Sequence, residues 1–139
     1  MTKEYFQRIE TSLDKTAYAL HEVIDNLTFN EQGLISVIAQ DADSKEVLML
    51  AWMNTESIKL TLDTNRMTYW SRSRKALWVK GESSSNTQSL ISMAIDCDGD
   101  CILCLVKQTG AACHTGRPNC FYLQLDTEQN KVIIQGDRP

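Results

Sequence analysis

Apolar residues recur along this chain with two different periods, one typical of a helix and one typical of short strands. Near the N-terminus the spacing is three or four residues, which predicts an amphipathic helix. Thr11 and Asp14 form a potential capping pair at its start. The apolar residues of this predicted helix are Leu13, Ala17, Leu20, Val23, Ile24 and Leu27.

Short segments rich in β-branched and aliphatic residues follow, and they predict strands. The polar residues 41–46, with Asp41 and Asp43, predict a hairpin turn between the first two strands. Asn54 is positioned to cap a short helix over 55–65. The predicted strands cover residues 34–40, 47–52, 67–70, 77–80, 90–96, 101–108 and 121–125, with a possible edge strand at 132–134.

This pattern predicts a single mainly β (α+β) domain with a barrel-like sheet and a short capping helix. Residues 1–30 are expected to form an N-terminal helical extension, residues 31–125 the catalytic core and residues 126–139 a polar tail. The 139 residues, 42% of them hydrophobic, suffice for one core.

Charge and cysteine content narrow the range of functions. Fourteen Lys and Arg against eighteen Asp and Glu leave a net charge of -4, so no basic field exists to hold nucleic acid or an anionic membrane. The N-terminus lacks the apolar run of a signal peptide, which predicts a cytoplasmic protein. Disulfides are disfavoured in that compartment, so the five cysteines indicate metal ligands or reactive thiols.

The densest group of potential metal ligands is Asp96, Cys97, Asp98 and Asp100. Carboxylates suit Mg²⁺ and thiolates suit Zn²⁺, so this segment can serve two metals. If the strand over 90–96 continues into the motif, the three carboxylates point to one side and Cys97 to the other. An acidic turn around Gly99 without metal is the competing interpretation.

The cysteines allow two different zinc sites. Cys101, Cys104, Cys113 and Cys120 would form a closed structural site. Cys97, Cys113 and Cys120 would form a site with three thiolates and one open position. Cys101 and Cys104 lie three apart in an apolar run, so on a strand they point to opposite faces, which favours the open set.

A basic and polar stretch supplies candidate phosphate ligands. The residues 71–75 interleave serines with Arg72, Arg74 and Lys75, and the segment 78–86 adds Lys80 and a run of serines. Guanidinium groups and backbone N–H groups bind phosphate, so a nucleotide ligand fits this stretch. A solvated hairpin followed by a flexible linker is the alternative.

Taken together, these motifs resemble those of the phosphoribosyl-AMP cyclohydrolase family, which acts in the third step of histidine biosynthesis. The resemblance spans residues 34–122, and one departure is Ser85, where the family usually has glycine. It rests on the motifs QDAD at 40–43, EVLMLAWMN at 46–54, YWSRSR at 69–74, WVKGE at 78–82, DCDGD at 96–100 and ACHTG at 112–116.

The resemblance implies a hydrolase that opens the adenine ring of 1-(5-phosphoribosyl)-AMP between N1 and C6. It implies Mg²⁺ on Asp96, Asp98 and Asp100, and an intertwined homodimer that shares each zinc site. The implied zinc ligands are Cys97 from one chain and Cys113 and Cys120 from the other.

His114, next to one of these ligands, is the candidate general acid and base. A role in orienting the loop is the alternative for this histidine. The expected substrate-binding residues are Arg72, Ser73, Arg74, Lys80, Glu82 and Asn86.

The sequence is compatible with two other functions. The first is a non-catalytic binding module that the closed four-cysteine zinc site stabilises. A zinc nucleobase deaminase is the other, although its usual H-x-E and P-C-x-x-C signature is missing from the chain.

Overall fold

A four-stranded open sheet forms the centre of the structure, a computed structural model that describes residues 3–139. Its strands follow the order β2-β1-β6-β5. β1 pairs antiparallel with β2 and parallel with β6, and β5 pairs antiparallel with β6. These strands are β1 Ile35–Asp41, β2 Val47–Met53, β5 Gln88–Ile95 and β6 Cys101–Gln108.

The remaining strands form two separate hairpins. β3 Thr68–Ser71 pairs with β4 Ala76–Val79, and β7 Leu123–Asp126 pairs with β8 Lys131–Ile134. Because these strands pair with each other, β2 and β5 remain the edges of the central sheet. The prediction of a mainly β, α+β domain is confirmed, but the central sheet is open and does not close into the barrel-like sheet that was expected.

The short internal helix, α3 Thr55–Thr64, begins where the sequence predicts and ends one residue before the predicted end. The Asn54 side chain accepts a hydrogen bond from the Ser57 N–H at 2.8 Å, and the Ser57 hydroxyl accepts one from the Asn54 N–H at 2.8 Å. This capping box satisfies two N–H groups that the first turn leaves free. The helix ends at Thr64, and the next residue, Asn65, caps it with a left-handed φ of 59°.

The N-terminal region differs from its prediction of one helix starting at Leu13. It contains two short helices, α1 Glu4–Ile9 and α2 Leu20–Asp25, joined by non-helical residues. Lys15 has a φ of 68° in this connection, a conformation that interrupts a right-handed helix. Tyr5 and Phe6 of α1 are buried, whereas Leu13 and Leu20 are exposed. In this region, packing against distant parts of the chain therefore decides where the helices form, and the spacing of the apolar residues does not.

The central sheet buries one face. Along β6 the buried residues are Ile102, Cys104 and Val106, and they alternate with the more exposed Leu103. Residues Val37 and Ala39 of β1 are likewise fully buried. Cys104 thus points into the core, where burial raises the pKa of its thiol to about 12. None of the helices in residues 3–139 is long and apolar enough to span a membrane.

Candidate active site

The acidic motif forms a tight turn between β5 and β6. β5 ends at Ile95, and the Asp96 N–H donates to the Cys101 carbonyl at 3.0 Å. Gly99 takes a φ of 70° and donates its N–H to the Asp96 carbonyl at 3.1 Å. The strand therefore does not continue through the motif, and strand alternation does not set the directions of its side chains.

Within this turn, Asp96 is engaged by the backbone. Its Oδ1 accepts hydrogen bonds from the N–H groups of Asp100 at 3.0 Å and Cys101 at 3.3 Å. Burial alone would raise the pKa of Asp96, but these donors outweigh it and lower the pKa. Asp96 is therefore a carboxylate that holds the turn together.

The other two carboxylates converge on a cation. The Lys3 ammonium lies 3.2 Å from Asp98 Oδ2 and 3.5 Å from Asp100 Oδ2. Asp98 and Asp100 therefore fit a positive charge between them. Residues 3–139 contain no group of three or more His, Cys, Asp or Glu side chains arranged to hold a metal ion.

The N-terminal extension packs directly on the acidic turn. A methyl group added at Gly99 would lie 2.1 Å from the nearest carbon of the Phe6 ring. The Thr28 N–H donates to the Gly99 carbonyl at 2.8 Å, and the Thr28 hydroxyl donates to the Asp98 carbonyl at 2.9 Å. Cys97 is exposed at the side of a cavity of about 380 Å³ between these elements.

A second group of ligands forms in the loop after β6. Cys113 and Cys120, seven residues apart in the sequence, lie close enough together for each thiol to shift the pKa of the other. The Cys113 N–H donates to the Arg117 carbonyl at 3.2 Å, and the Cys120 N–H donates to the Leu48 carbonyl at 2.8 Å. The loop therefore brings these two predicted zinc ligands together. His114, the candidate acid and base, is exposed beside them.

The two thiols of this pair have different environments. Burial acts to raise the pKa of Cys113, but hydrogen bonds from the Thr115 hydroxyl, at 3.1 Å, and from the Thr115 N–H help to lower it. Burial raises the pKa of Cys120 to about 11. Cys113 is thus the thiol of the pair that more readily ionises.

Lys80 lies beside this cysteine pair. It is buried, and its ammonium is 5.5 Å from the centre of the Trp78 ring. Burial lowers the pKa of Lys80, while the nearby Cys120 and Cys113 act to raise it. The sequence grouped Lys80 with the phosphate ligands, whereas the structure positions its charge close to two potential thiolates.

Cys97 lies away from this pair in the same chain. It precedes β6, whereas Cys120 is held by Leu48 at the start of β2. Since β1 is parallel to β6 and antiparallel to β2, the start of β2 lies toward the far end of β6. At about 3.3 Å per residue, the separation along the strands is on the order of 10 Å or more.

The two remaining cysteines do not form a ligand pair. Cys104 points into the core, whereas Cys101 is half-buried and points to the other face of β6. The closed set of Cys101, Cys104, Cys113 and Cys120 is therefore incompatible with this strand.

The basic turn between β3 and β4 borders an open groove. One cavity, of about 490 Å³, is lined by Trp70, Arg72 and Lys75, together with Asn30, Gln32 and Leu34. An adjacent cavity, of about 410 Å³, shares Asn30 and Leu34 and reaches Trp52 and Asp100. The Arg72 guanidinium lies 4.9 Å from the centre of the Trp52 ring, so it connects the two cavities.

The other predicted substrate ligands are distributed around this groove and beyond it. Ser73 and Arg74 are exposed on the turn itself, and Arg74 donates its N–H to the Ser71 hydroxyl at 3.3 Å. Glu82 and Asn86 belong to the loop after β4, and neither lines the two cavities. Sequence reasoning did not assign Trp52 and Trp70 to the site, because tryptophans are more often core residues.

The loop that contains Glu82 and Asn86 includes a turn in which one residue has a positive φ, a conformation that favours glycine. Ser85 takes a φ of 63° and donates its N–H to the Gly81 carbonyl at 2.9 Å. This is the position at which the sequence departs from the motif of the family it resembles. Ser85 therefore adopts the left-handed conformation that glycine adopts with less strain.

The acidic turn, the cysteine loop and the basic turn lie in a region that is similar to known proteins. The family model described as phosphoribosyl-AMP cyclohydrolase matches residues 49–122, more than half of the chain. The chain belongs to this family. Among its relatives is the phosphoribosyl-AMP cyclohydrolase of Roseobacter denitrificans, 65% identical over 98 residues, which are 70% of this chain and 77% of the relative.

Two further relatives align over more of the chain. The phosphoribosyl-AMP cyclohydrolase of Paracoccus denitrificans is 54% identical over 114 residues, 82% of this chain and 94% of the relative. That of Alcanivorax borkumensis is 54% identical over 129 residues, 93% of this chain and 89% of the relative. The match to the family model, over residues 49–122, includes the acidic turn, the cysteine loop and the basic turn. It does not include Lys3 or the β7–β8 hairpin.

Proposed function

We propose that this chain is a zinc-dependent hydrolase that opens the adenine ring of 1-(5-phosphoribosyl)-AMP in the third step of histidine biosynthesis. The observation that carries the proposal is the pair of neighbouring thiols, Cys113 and Cys120, inside the region that matches the family. The basic groove beside Arg72 adds a binding surface suited to a phosphorylated substrate. The substrate in this proposal is the one that appears in the names of the relatives.

The zinc ligands in this proposal are Cys113 and Cys120 of one chain and Cys97 of a second chain. The paired thiols are suitable soft donors, and Cys97 is exposed and available to another subunit. When bound, zinc supplies Lewis acidity that makes water a usable nucleophile at neutral pH. The buried Lys80 beside Cys113 and Cys120 would offset part of the negative charge of three thiolates.

The magnesium ligands in this proposal are Asp98 and Asp100, supported by Asp96. The Lys3 ammonium stands between the first two carboxylates, which supports a cation at this position. Asp96 fixes the turn through the N–H groups of Asp100 and Cys101. Magnesium on these carboxylates would offset phosphate charge at the Asp100 end of the groove.

The groove residues bind and orient the substrate. Arg72, held against Trp52, is a bidentate phosphate donor, and Lys75 adds a second positive charge. The half-buried rings of Trp52 and Trp70 provide flat surfaces for a purine or ribose. The substrate has a phosphate at each end, so a groove with cationic partners at both ends suits its shape.

The reaction adds one water across one bond of the ring. The water oxygen bonds to C6, the C6–N1 bond breaks and N1 accepts a proton. The exocyclic nitrogen is retained and becomes the carboxamide of the formimino-aminoimidazole carboxamide ribonucleotide. His114, exposed beside the thiol pair, is positioned in this proposal to donate the proton to N1.

The test of the proposed function is direct. Purified protein is given phosphoribosyl-AMP, and ring opening is followed by ultraviolet absorbance with and without a zinc chelator. We expect turnover that the chelator abolishes and that added zinc restores. Release of ammonia would indicate a deaminase instead, and stoichiometric zinc without any turnover would indicate a structural module.

Replacement of His114 separates a proton-transfer role from a structural one. We expect His114→Ala to lower kcat by about 100-fold, within the usual range for a general acid or base, while zinc content stays at the wild-type level. The measurement is the pH profile of kcat together with metal analysis of the same samples. Wild-type turnover in His114→Ala would contradict the proton-transfer role.

Lys3 competes with a divalent ion for the same two carboxylates. We therefore expect Lys3→Gln to tighten Mn²⁺ binding at the acidic turn by about two- to five-fold, since the competing charge is exposed and its contribution is modest. Titration of protein with Mn²⁺, followed by electron paramagnetic resonance, measures this affinity. Lys15→Gln, an exposed change in the same extension, is the control. Equal Mn²⁺ affinities in both variants would show that Lys3 does not occupy the cation position.

A further inference from the structure

Asn30 belongs to a tight turn that leads into β1. Its N–H donates to the Leu34 carbonyl at 2.8 Å, and its carbonyl accepts from the Gly33 N–H at 2.9 Å. The Asn30 side chain closes the same turn, because its Oδ1 accepts from the Gln32 N–H at 3.0 Å and the Leu34 N–H at 2.9 Å. These hydrogen bonds fix both the backbone and the side chain of Asn30.

The two N–H donors determine which end of the Asn30 amide remains available. The oxygen and nitrogen of an amide are distinguished by their hydrogen-bond partners, and only the oxygen accepts from backbone N–H groups. The turn therefore uses Oδ1 and leaves the Nδ2 group over. Within residues 3–139, Nδ2 donates to no other protein atom. Asn30 thus presents a hydrogen-bond donor of fixed direction that the fold itself does not use.

This donor lies where the two cavities of the groove meet. Asn30 and Leu34 line both the cavity of about 490 Å³ and the adjacent cavity of about 410 Å³. Because Leu34 is apolar, Asn30 supplies the polar side chain at the junction. Asn30 lies outside the residues 49–122 that match the family model, so that match assigns no role to it.

The charges of the larger cavity favour an anion beside Asn30. Arg72 and Lys75 line this cavity, and no Asp or Glu of the described residues does, whereas Glu31 and Asp100 line the smaller one. Neither Arg72 nor Lys75 forms a salt bridge within the described part of the chain. Two cations without an ion pair and one neutral donor suit the charge and the acceptor oxygens of a phosphate group.

We propose that Asn30 is a substrate-binding residue whose Nδ2 group donates to a phosphate oxygen of the nucleotide, in the larger cavity beside Arg72 and Lys75. The inference rests on the proposed function and adds a phosphate contact to it. Since the turn fixes the side chain before the substrate binds, little rotamer freedom is lost on binding. The phosphate is remote from the C6–N1 bond that breaks, so the contact affects KM and leaves kcat nearly unchanged.

Asn30→Asp tests this contact while it preserves the turn. The carboxylate keeps an oxygen that accepts from the two N–H groups of the turn, but it replaces the Nδ2 donor by a negatively charged acceptor. Gln32→Glu adds the same charge to the same cavity and leaves Asn30 intact. Asn130→Asp, in the exposed turn of the β7–β8 hairpin, is the control for this change at another position.

Three measurements are made on each variant. Titration calorimetry with AMP gives the dissociation constant, kinetics with phosphoribosyl-AMP give kcat and KM, and scanning calorimetry gives the Tm. We expect Asn30→Asp to weaken AMP binding and to raise KM by about 10- to 100-fold, as for a lost hydrogen bond to a charged group. Its kcat should stay within about three-fold of wild type. Its Tm should not fall, because the turn is preserved.

The comparison variants separate the donor from the added charge. Gln32→Glu should weaken AMP binding by less than about five-fold, because its charge is exposed and screened. Asn130→Asp should match wild type. Unchanged AMP affinity in Asn30→Asp, or an equal loss in Asn30→Asp and Gln32→Glu, would overturn the contact. If Asn30→Asp does not fold, Asn30→Ser, whose hydroxyl also accepts from the turn, replaces it with the same expected loss.

The AMP titration also separates this contact from the proposed function. Wild type that binds AMP but does not open the ring of phosphoribosyl-AMP would overturn the proposed function, and the effect of Asn30→Asp on AMP affinity would still decide the contact. Wild type that binds neither nucleotide would overturn both.

Discussion

Mixing Cys97→Ser subunits with Cys113→Ser subunits should restore zinc binding and turnover that neither variant has alone. In the proposed dimer with shared zinc sites, each variant lacks a ligand in both sites. In a mixed dimer, one site combines the intact Cys97 of one subunit with the intact Cys113 and Cys120 of the other. Random exchange makes roughly half of the dimers mixed, and each carries one intact site, so about a quarter of the wild-type sites should return.

The experiment needs one control and has a clear contrary outcome. Denaturing and refolding each variant alone should restore nothing, because its two subunits lack the same ligand. The mixture is compared with wild type taken through the same procedure. Zinc retained at full stoichiometry by Cys97→Ser alone would exclude Cys97 as a ligand. No recovery in the mixture, with each variant folded and dimeric, would mean that each site takes its ligands from a single chain.

Gly81→Ala should cause a large loss of stability, much larger than Gly33→Ala. Both glycines have a positive φ, 87° and 75°, so both substitutions incur left-handed strain of about 1–2 kcal/mol. A Cβ on Gly81 would also lie 2.6 Å from the Asn86 carbonyl oxygen and 2.8 Å from the Thr87 Cα. At Gly33 nothing lies within 4 Å. The comparison therefore isolates the steric clash with the backbone.

We expect Gly81→Ala to cost more than about 3 kcal/mol and to lower the Tm by at least about 6 °C more than Gly33→Ala does. Calorimetry of the two variants and of wild type measures the difference. Turnover should also fall in Gly81→Ala alone, because Gly81 follows Lys80 at the thiol pair. Equal losses of Tm in the two variants would mean that the 81–87 loop relaxes around the added methyl group.

Local patterns predicted most of the strands. β1, β2 and β6 occur within one or two residues of their predicted positions, because alternation and β-branched composition are properties of the segment itself. The capping of α3 by Asn54 is equally local. The prediction of a helix starting at Leu13 was wrong. Tyr5 and Phe6 are buried against distant parts of the chain, and the spacing of apolar residues in one segment contains no information about such contacts.

For the candidate site too, the sequence predicted the local motifs but not the contacts between distant residues. The sequence identified the acidic motif, the cysteine loop and the basic turn, because each concentrates chemically distinctive side chains in a few residues. A turn around Gly99 was the competing interpretation of the acidic motif, but the sequence did not predict that Asp96 accepts hydrogen bonds from the backbone of this turn while Asp98 and Asp100 face Lys3. That arrangement depends on contacts between residues more than ninety positions apart.

The sequence by itself determined the family, the strand segments and the residue types available for metal and phosphate. Only the tertiary structure decided the sheet order β2-β1-β6-β5, the position of Lys80 beside the thiol pair and the separation of Cys97 from that pair. The physical reason is the range of the interactions. Alternation and capping act between neighbours, whereas strand pairing and burial depend on which distant segments exclude water together.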